Sequence, residues 1–261
     1  MYNKKNTVIF LSIVMTLPVL LAFTLEESMQ QRWWQRKRAE APPKEFSTLQ
    51  QEQGHTLEVH FKPGRSHNHP LMAFWIEDTT GQYLQSLYVA ESIAKGYFRH
   101  GDASTGRWQP GPLRRPAALP YWGYKRGVKA PDGYFIPTVE EPMPDAVTGP
   151  TPKAAFVLTT RTGTEIPAVF NVLMEINQSW DWNNYWHNNK FPDDEHYRTS
   201  SQPALVYKAT VRLADAGEKI MLKPIGHSHW SGASGELFED LSTITTALDI
   251  TKEVSVRVHP R

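Results

Sequence analysis

The chain has 261 residues, 40% hydrophobic and 21% charged, with a formal net charge of +1. That supports a folded domain with a sizeable core and excludes both a disordered chain and a polytopic membrane protein. It contains no Cys, which excludes disulfides, thiolate metal sites, cysteine nucleophiles and a cysteine-linked lipid anchor.

The charge is uneven. Lys4, Lys5, Arg32, Arg36, Lys37 and Arg38 face only Glu26 and Glu27 before residue 39, which leaves 22 basic and 25 acidic groups for the rest. A mildly acidic body argues against nucleic-acid binding, which needs a surplus of cations to displace counterions. Residues 7–24 (TVIFLSIVMTLPVLLAFT) carry no charge. As a helix they reach about 27 Å, close to the hydrocarbon thickness of a bilayer. Residues 1–25 are a signal anchor or a cleavable signal peptide. The anchor is preferred, because no small-x-small cleavage site follows. Trp33 and Trp34 beside Arg32, Arg36, Lys37 and Arg38 suit a headgroup belt. A short tail before one apolar segment places the body outside the cytoplasm, anchored in the inner membrane of an envelope.

Residues 26–54 read as a juxtamembrane segment and linker, with Pro42 and Pro43. From residue 55 the period becomes that of strands. HTLEVHF (55–61) alternates, and LMAFWIED (71–78), TTGQ (79–82) and YLQSLYV (83–89) form a hairpin pattern. ESIAKGY (91–97) predicts a short helical turn. Residues 98–150 are rich in Pro and Gly and predict an extended insertion over the sheet. Strands resume at AAFVLTT (154–160), AVFNVLMEIN (168–177), ALVYKATVRL (204–213), IMLKPIG (220–226) and EVSVRV (253–258). Residues 178–201 predict a polar, aromatic loop. LFEDLSTITTALDI (237–250) predicts a short helix or a strand. The expected fold is all-β: an antiparallel Ig-like β-sandwich over 55–258 with long loop insertions, preceded by one N-terminal membrane helix.

AFWIEDTTGQYLQSLYV (73–89) resembles the W-V-E-D-x-x-G hairpin of domain-of-unknown-function family 2271, a group of periplasmic proteins. PDAVTGPTPKAAFVLTT (144–160) and GTEIPAVFNVLMEI (163–176) resemble that family's second signature, and the order agrees over about residues 56–177. Pro150 stands where the family has Ala, and its W-D-G-x-D stretch is degenerate at Thr159, Thr160 and Arg161. The resemblance implies a module similar to the Ig-like one of flagellar hook-cap proteins. It also implies an integral-membrane redox protein as partner.

Asp145, Thr148, Gly149 and Thr151 resemble the sequence at which a flavin transferase joins FMN to a threonine hydroxyl. Thr151 would be the acceptor and Asp145 would fix the loop. The same residues serve an ordinary turn, and the turn is the preferred reading. His67 with His69, and His227 with His229, are H-x-H pairs. On a strand each pair presents two imidazoles to one face, so the four could hold zinc or copper. Neighbouring Pro and Gly favour loops and hydrogen-bonded histidines instead. His187 and His196 with Asp193, Asp194 and Glu195 read as a solvated loop. Trp180, Trp182, Tyr185 and Trp186 alternate with Asp181, Asn183 and Asn184, a pattern that suits sugar stacking or protein recognition as well as packing. Arg114, Arg115, Tyr121, Trp122, Tyr124, Lys125 and Arg126 form a cationic–aromatic set within the insertion.

No G-x-S-x-G, P-loop, dinucleotide G-x-G-x-x-G or H-E-x-x-H occurs. The sequence therefore points to a non-catalytic binding or accessory module of a redox-linked envelope system. An FMN-carrying electron-transfer protein and a His-rich metal-binding protein are the alternatives.

Overall fold

The computed structural model of the protein describes residues 42–150, 153–259 and 261. The apolar run 7–24 and Thr151 lie outside them. Among the described residues no helix is long and apolar enough to cross a membrane.

Two main sheets face each other, with strands numbered here in chain order. The five-stranded sheet runs β1 (Lys44–Ser47), β8 (Phe156–Arg161), β2 (Thr56–Pro63), β13 (Thr251–His259) and β11 (Ile220–Met221). The six-stranded sheet runs β12 (Lys223–His227), β10 (Leu205–Arg212), β9 (Val169–Asn177), β3 (Leu71–Glu77), β4 (Tyr83–Ala90) and β7 (Thr148–Gly149). Pairing is antiparallel except for β1 with β8 and β4 with β7. The protein is an antiparallel-rich β-sandwich with few helices.

Alternation explains why the two sheets meet. Leu57, Val59 and Phe61 of β2 are buried, and their neighbours are half-buried or, at Lys62, exposed. They join Phe156 and Leu158 of β8 and Val254, Val256 and Val258 of β13 on one inner face. Phe74 and Ile76 of β3, Phe170, Val172 and Met174 of β9, and Leu205 and Val211 of β10 form the other. Burying a face of this kind stabilises by roughly 1.5–3 kcal/mol per large apolar side chain.

Strand β3 is buried at every position and β9 at nearly every one, because the six-stranded sheet is covered on both faces. Its outer face carries Ala73, Trp75, Val89, Leu173 and Val206. The cover comes from α1 (Glu91–Ala94) and from the insertion, chiefly Ala118, Leu119, Tyr121 and Trp122 at the start of α2 (Pro120–Arg126). Pro120 at the first helical turn and Gly127 at φ 75 set the ends of α2. The insertion also holds a hairpin of β5 (Tyr97–Asp102) and β6 (Gln109–Pro112).

Three elements differ from the sequence reading. Lys44–Ser47, inside the segment read as linker, pairs in parallel with β8 through Lys44↔Phe156 and Phe46↔Leu158. A six-residue helix, α3 (Glu195–Ser200), ends the loop 178–201. Residues 237–250 form neither the helix nor the strand expected; they are irregular and close in a 3-10 turn, Thr246–Asp249. Side chains replace regular pairing there: Gln202 Oε1 accepts from the Thr245 amide at 2.8 Å.

Candidate functional site

The loop 178–201 is held from beneath by one amide side chain. Asn183 Oδ1 accepts from the amides of Tyr185 (2.9 Å) and Trp186 (2.6 Å). Its Nδ2 donates to Gln202 Oε1 (3.0 Å) and Thr243 O (2.9 Å). Asp194 caps α3 by accepting from the amides of His196 and Tyr197. Tyr197 is fully buried, and its hydroxyl donates to His187 O at 2.9 Å.

These bonds sort the four loop aromatics into two kinds. Trp186 is core: it is 4% exposed, donates to Thr243 Oγ1 at 3.1 Å and packs on Trp230 and His227. Trp182 is half-buried against Tyr197. Trp180 is 63% exposed and Tyr185 is 50% exposed. The Lys190 ammonium sits over the Tyr185 ring, a cation–π contact.

Trp180 and Trp182 form part of a cleft of about 570 Å³ between the insertion and this loop. Leu113, Arg114 and Arg115 line one side; Asn188, Asn189, Glu195, His196, Arg198 and Thr199 line the other. The three arginines are not equivalent. Arg114 is committed: it makes a two-pronged pair with Asp132 (2.7 and 3.0 Å) and donates to Ile136 O and Pro137 O. Arg115 donates to Ser179 Oγ at 2.6 Å and lies over the Phe98 ring. Its Nε is buried without a hydrogen-bond partner among the described residues, and burial lowers its pKa, though an arginine stays charged. Arg198 is exposed and makes no ion pair among the described residues. Two cations without an acidic partner thus flank two indole rings. His196 Nε2 and the Tyr134 hydroxyl share a hydrogen bond of 2.7 Å.

The cleft backbone is strained. Trp180 has φ 66 and Ser201 has φ 72, a region that costs a side-chain-bearing residue about 1–3 kcal/mol. The surroundings enforce it. Asp181 bridges to Ser201, Gln202 donates to Asp181 O from both its amide and Nε2, and Thr246 Oγ1 donates to Asp181 Oδ1. Burial raises the Asp181 pKa, against these hydrogen bonds.

The other predicted sites are placed differently. Among the described residues no three His, Cys, Asp or Glu side chains gather where they could hold a metal ion, so the four histidines do not make one centre. His227 is buried, with Nδ1 on Ser228 O at 2.8 Å and its ring stacked on Phe238. His229 stacks on Trp230 and accepts from the Ser231 amide. Burial lowers both pKa values. His67 is buried against Phe61, while His69 is exposed, with Nδ1 on Asn68 Oδ1.

Asp145 opens a 3-10 turn and pairs with Lys95 at 3.0 Å. Thr148 and Gly149 then pair with Val89 and Ala90 of β4, and Thr148 Oγ1 donates to Asp145 O. A Cβ on Gly149 would meet the Tyr88 ring at 2.8 Å. The Tyr88 hydroxyl donates to Pro150 O at 2.8 Å. The motif up to Pro150 is therefore tied to a sheet edge.

The insertion's cationic–aromatic set is divided. Arg114 and Arg115 reach the cleft, whereas Tyr121 and Trp122 are buried on the sheet. Lys125 turns to Glu77 (3.6 Å) and Gly81 O (2.9 Å). Sequence reasoning missed Arg198, Asn188 and Asn189, and it missed Glu175. Glu175 is fully buried on β9, and its two oxygens accept the amides of Tyr121 (3.2 Å) and Trp122 (2.7 Å) at the start of α2. Burial pushes its pKa up to about 8, opposed by those amides and by Ser228. Its signal was a lone acid inside an apolar strand, VLMEIN.

Comparison with protein-family models, with curated proteins and with solved structures finds no match for this chain.

Proposed function

We propose that this chain is a non-catalytic binding module that acts outside the cytoplasm, anchored to the inner membrane through residues 7–24. Its binding surface is the cleft between the insertion and the loop 178–201. The observation that carries this reading is the cleft itself, where exposed Trp180 and half-buried Trp182 lie beside Arg115 and Arg198. Trp180 joins an exposed ring to a positive-φ backbone, and backbone strain of that kind clusters at functional sites. The resemblance to family 2271 and its Ig-like pattern supports a place beside an envelope redox protein, with the module as accessory rather than electron carrier. The ties that fix Asp145, Thr148 and Gly149 to the sheet edge support a structural role for that motif.

The test is the intact mass and visible spectrum of the full chain purified from its own membranes. The reading predicts a colourless protein of unmodified mass with residues 1–25 retained. A yellow protein heavier by one FMN less water, with the increment lost in Thr151→Ala, would replace this reading with a flavin carrier.

A further inference from the structure

Resting on that reading of the cleft, we propose that its ligand is an acidic oligosaccharide, a chain of sugar rings bearing carboxylate groups. The ring faces are supplied by Trp180 and Trp182, which line the cleft together. Flat indoles stack on the C–H face of a pyranose and bury it without demanding an exact pose. The carboxylates are met by Arg115 and Arg198. Each is free of an acidic partner among the described residues; exposed Arg198 offers the fork that grips a carboxylate with two hydrogen bonds, while Arg115, one terminal nitrogen of which is on Ser179, adds a second cation. The remaining hydroxyls suit Asn188 and Asn189, whose amides both donate and accept.

The same features argue against other anions. Arg114 is already neutralised by Asp132 and bonded to two carbonyls, so the cleft does not present the clustered cations that a polyphosphate wants. Glu195 also lines the cleft, and its charge opposes an anion as dense as a polyphosphate more strongly than a single carboxylate. A largely fixed site also suits a weakly binding, repetitive ligand, because little ordering entropy is lost. Asn183, Gln202 and the Asp181–Ser201 bridge set the loop in place without the ligand.

The experiment is a titration of the full chain in mild detergent, followed by tryptophan fluorescence. The probes are trimers of galacturonate, glucuronate and mannuronate, each set against its neutral methyl ester. ATP and an acidic peptide are run beside them. Trp180→Ala and Arg198→Ala are the variants, because both side chains are exposed and their loss leaves the core intact. At least one uronate trimer should bind, and its ester should bind about tenfold more weakly. Each variant should weaken the acid by about tenfold, and Arg198→Ala should spare the residual binding of the ester. Equal binding of acid and ester would overturn the carboxylate assignment. Binding of ATP or the peptide alone, lost in Trp180→Ala, would overturn the sugar and leave the cleft as a binding site. Silence from every probe would remove the saccharide and count against the cleft as well.

Discussion

Glu175→Gln should abolish most of a pH dependence that the insertion imposes on the fold. In the native chain this carboxyl is fully buried between β9 and the start of α2, and no ion pair reaches it among the described residues. Tyr121, Trp122 and Ser228 are its polar neighbours. Burial raises its pKa from 4.5 to about 8. A raised carboxyl pKa contributes stability that is fully present below about pH 4.5 and is lost as pH rises through about 8. At about 1.4 kcal/mol per pH unit, the interval corresponds to ~5 kcal/mol. Gln is neutral throughout, but its NH2 group opposes one of the two α2 amides, at a cost of about 1–3 kcal/mol. The native chain should therefore be the more stable at pH 5 and the variant at pH 9, with the two curves crossing between. Denaturant unfolding of both chains from pH 4.5 to 9 gives the difference directly. His227, His229 and Glu77 cancel in that difference because both chains carry them. A difference that stays flat across the range would refute the assignment of the buried proton to Glu175.

The outer layer and the cleft give further expectations. Trp122→Ala should cost about 3–5 kcal/mol, since it empties a fully buried site under α2 and removes the bond from Nε1 to Ser86 Oγ; the midpoint of denaturant unfolding reads this. Asn183→Ala should cost about 1–2 kcal/mol, because the part-buried Trp186 amide loses its acceptor and the exposed Tyr185 amide turns to water. Proteolysis should then open first in the loop 178–201. Trp180→Gly should hold or raise stability by about 1 kcal/mol, as glycine accepts φ 66 without strain, and the same change should weaken binding at the cleft by about tenfold. A clear loss of stability in thermal unfolding would show that this indole is structural.

The sandwich was legible because its strands alternate. Leu57, Val59 and Phe61 mark the face of β2 that meets the core. The doubly buried β3 and β9 read as mainly apolar runs without strict alternation, broken in β9 by Asn171 and Glu175, which also signals a cover on the second face. Strand β1 was not legible: KEFS is short and polar, follows two prolines, and becomes a strand only by pairing with residues more than a hundred positions away. Helix α3 is too short for a periodic signal, and only Asp194 at its cap announced it. The aromatic loop was visible in composition, but composition could not sort core Trp186 from exposed Trp180. That division follows from Asn183 and its partners. Arg115 joins the site from 64 residues away through Ser179. No local motif records such a contact.

The measurement that bears most directly on the central claim is amide hydrogen exchange of the full chain in its own membranes and after purification in detergent. If the cleft is the working surface, the amides of residues 179–199 and 113–115 should exchange more slowly in the membranes, and Trp180→Ala should erase that protection. The strands of the sandwich should exchange alike in both settings. Equal exchange at the cleft in native membranes and in detergent would contradict the account.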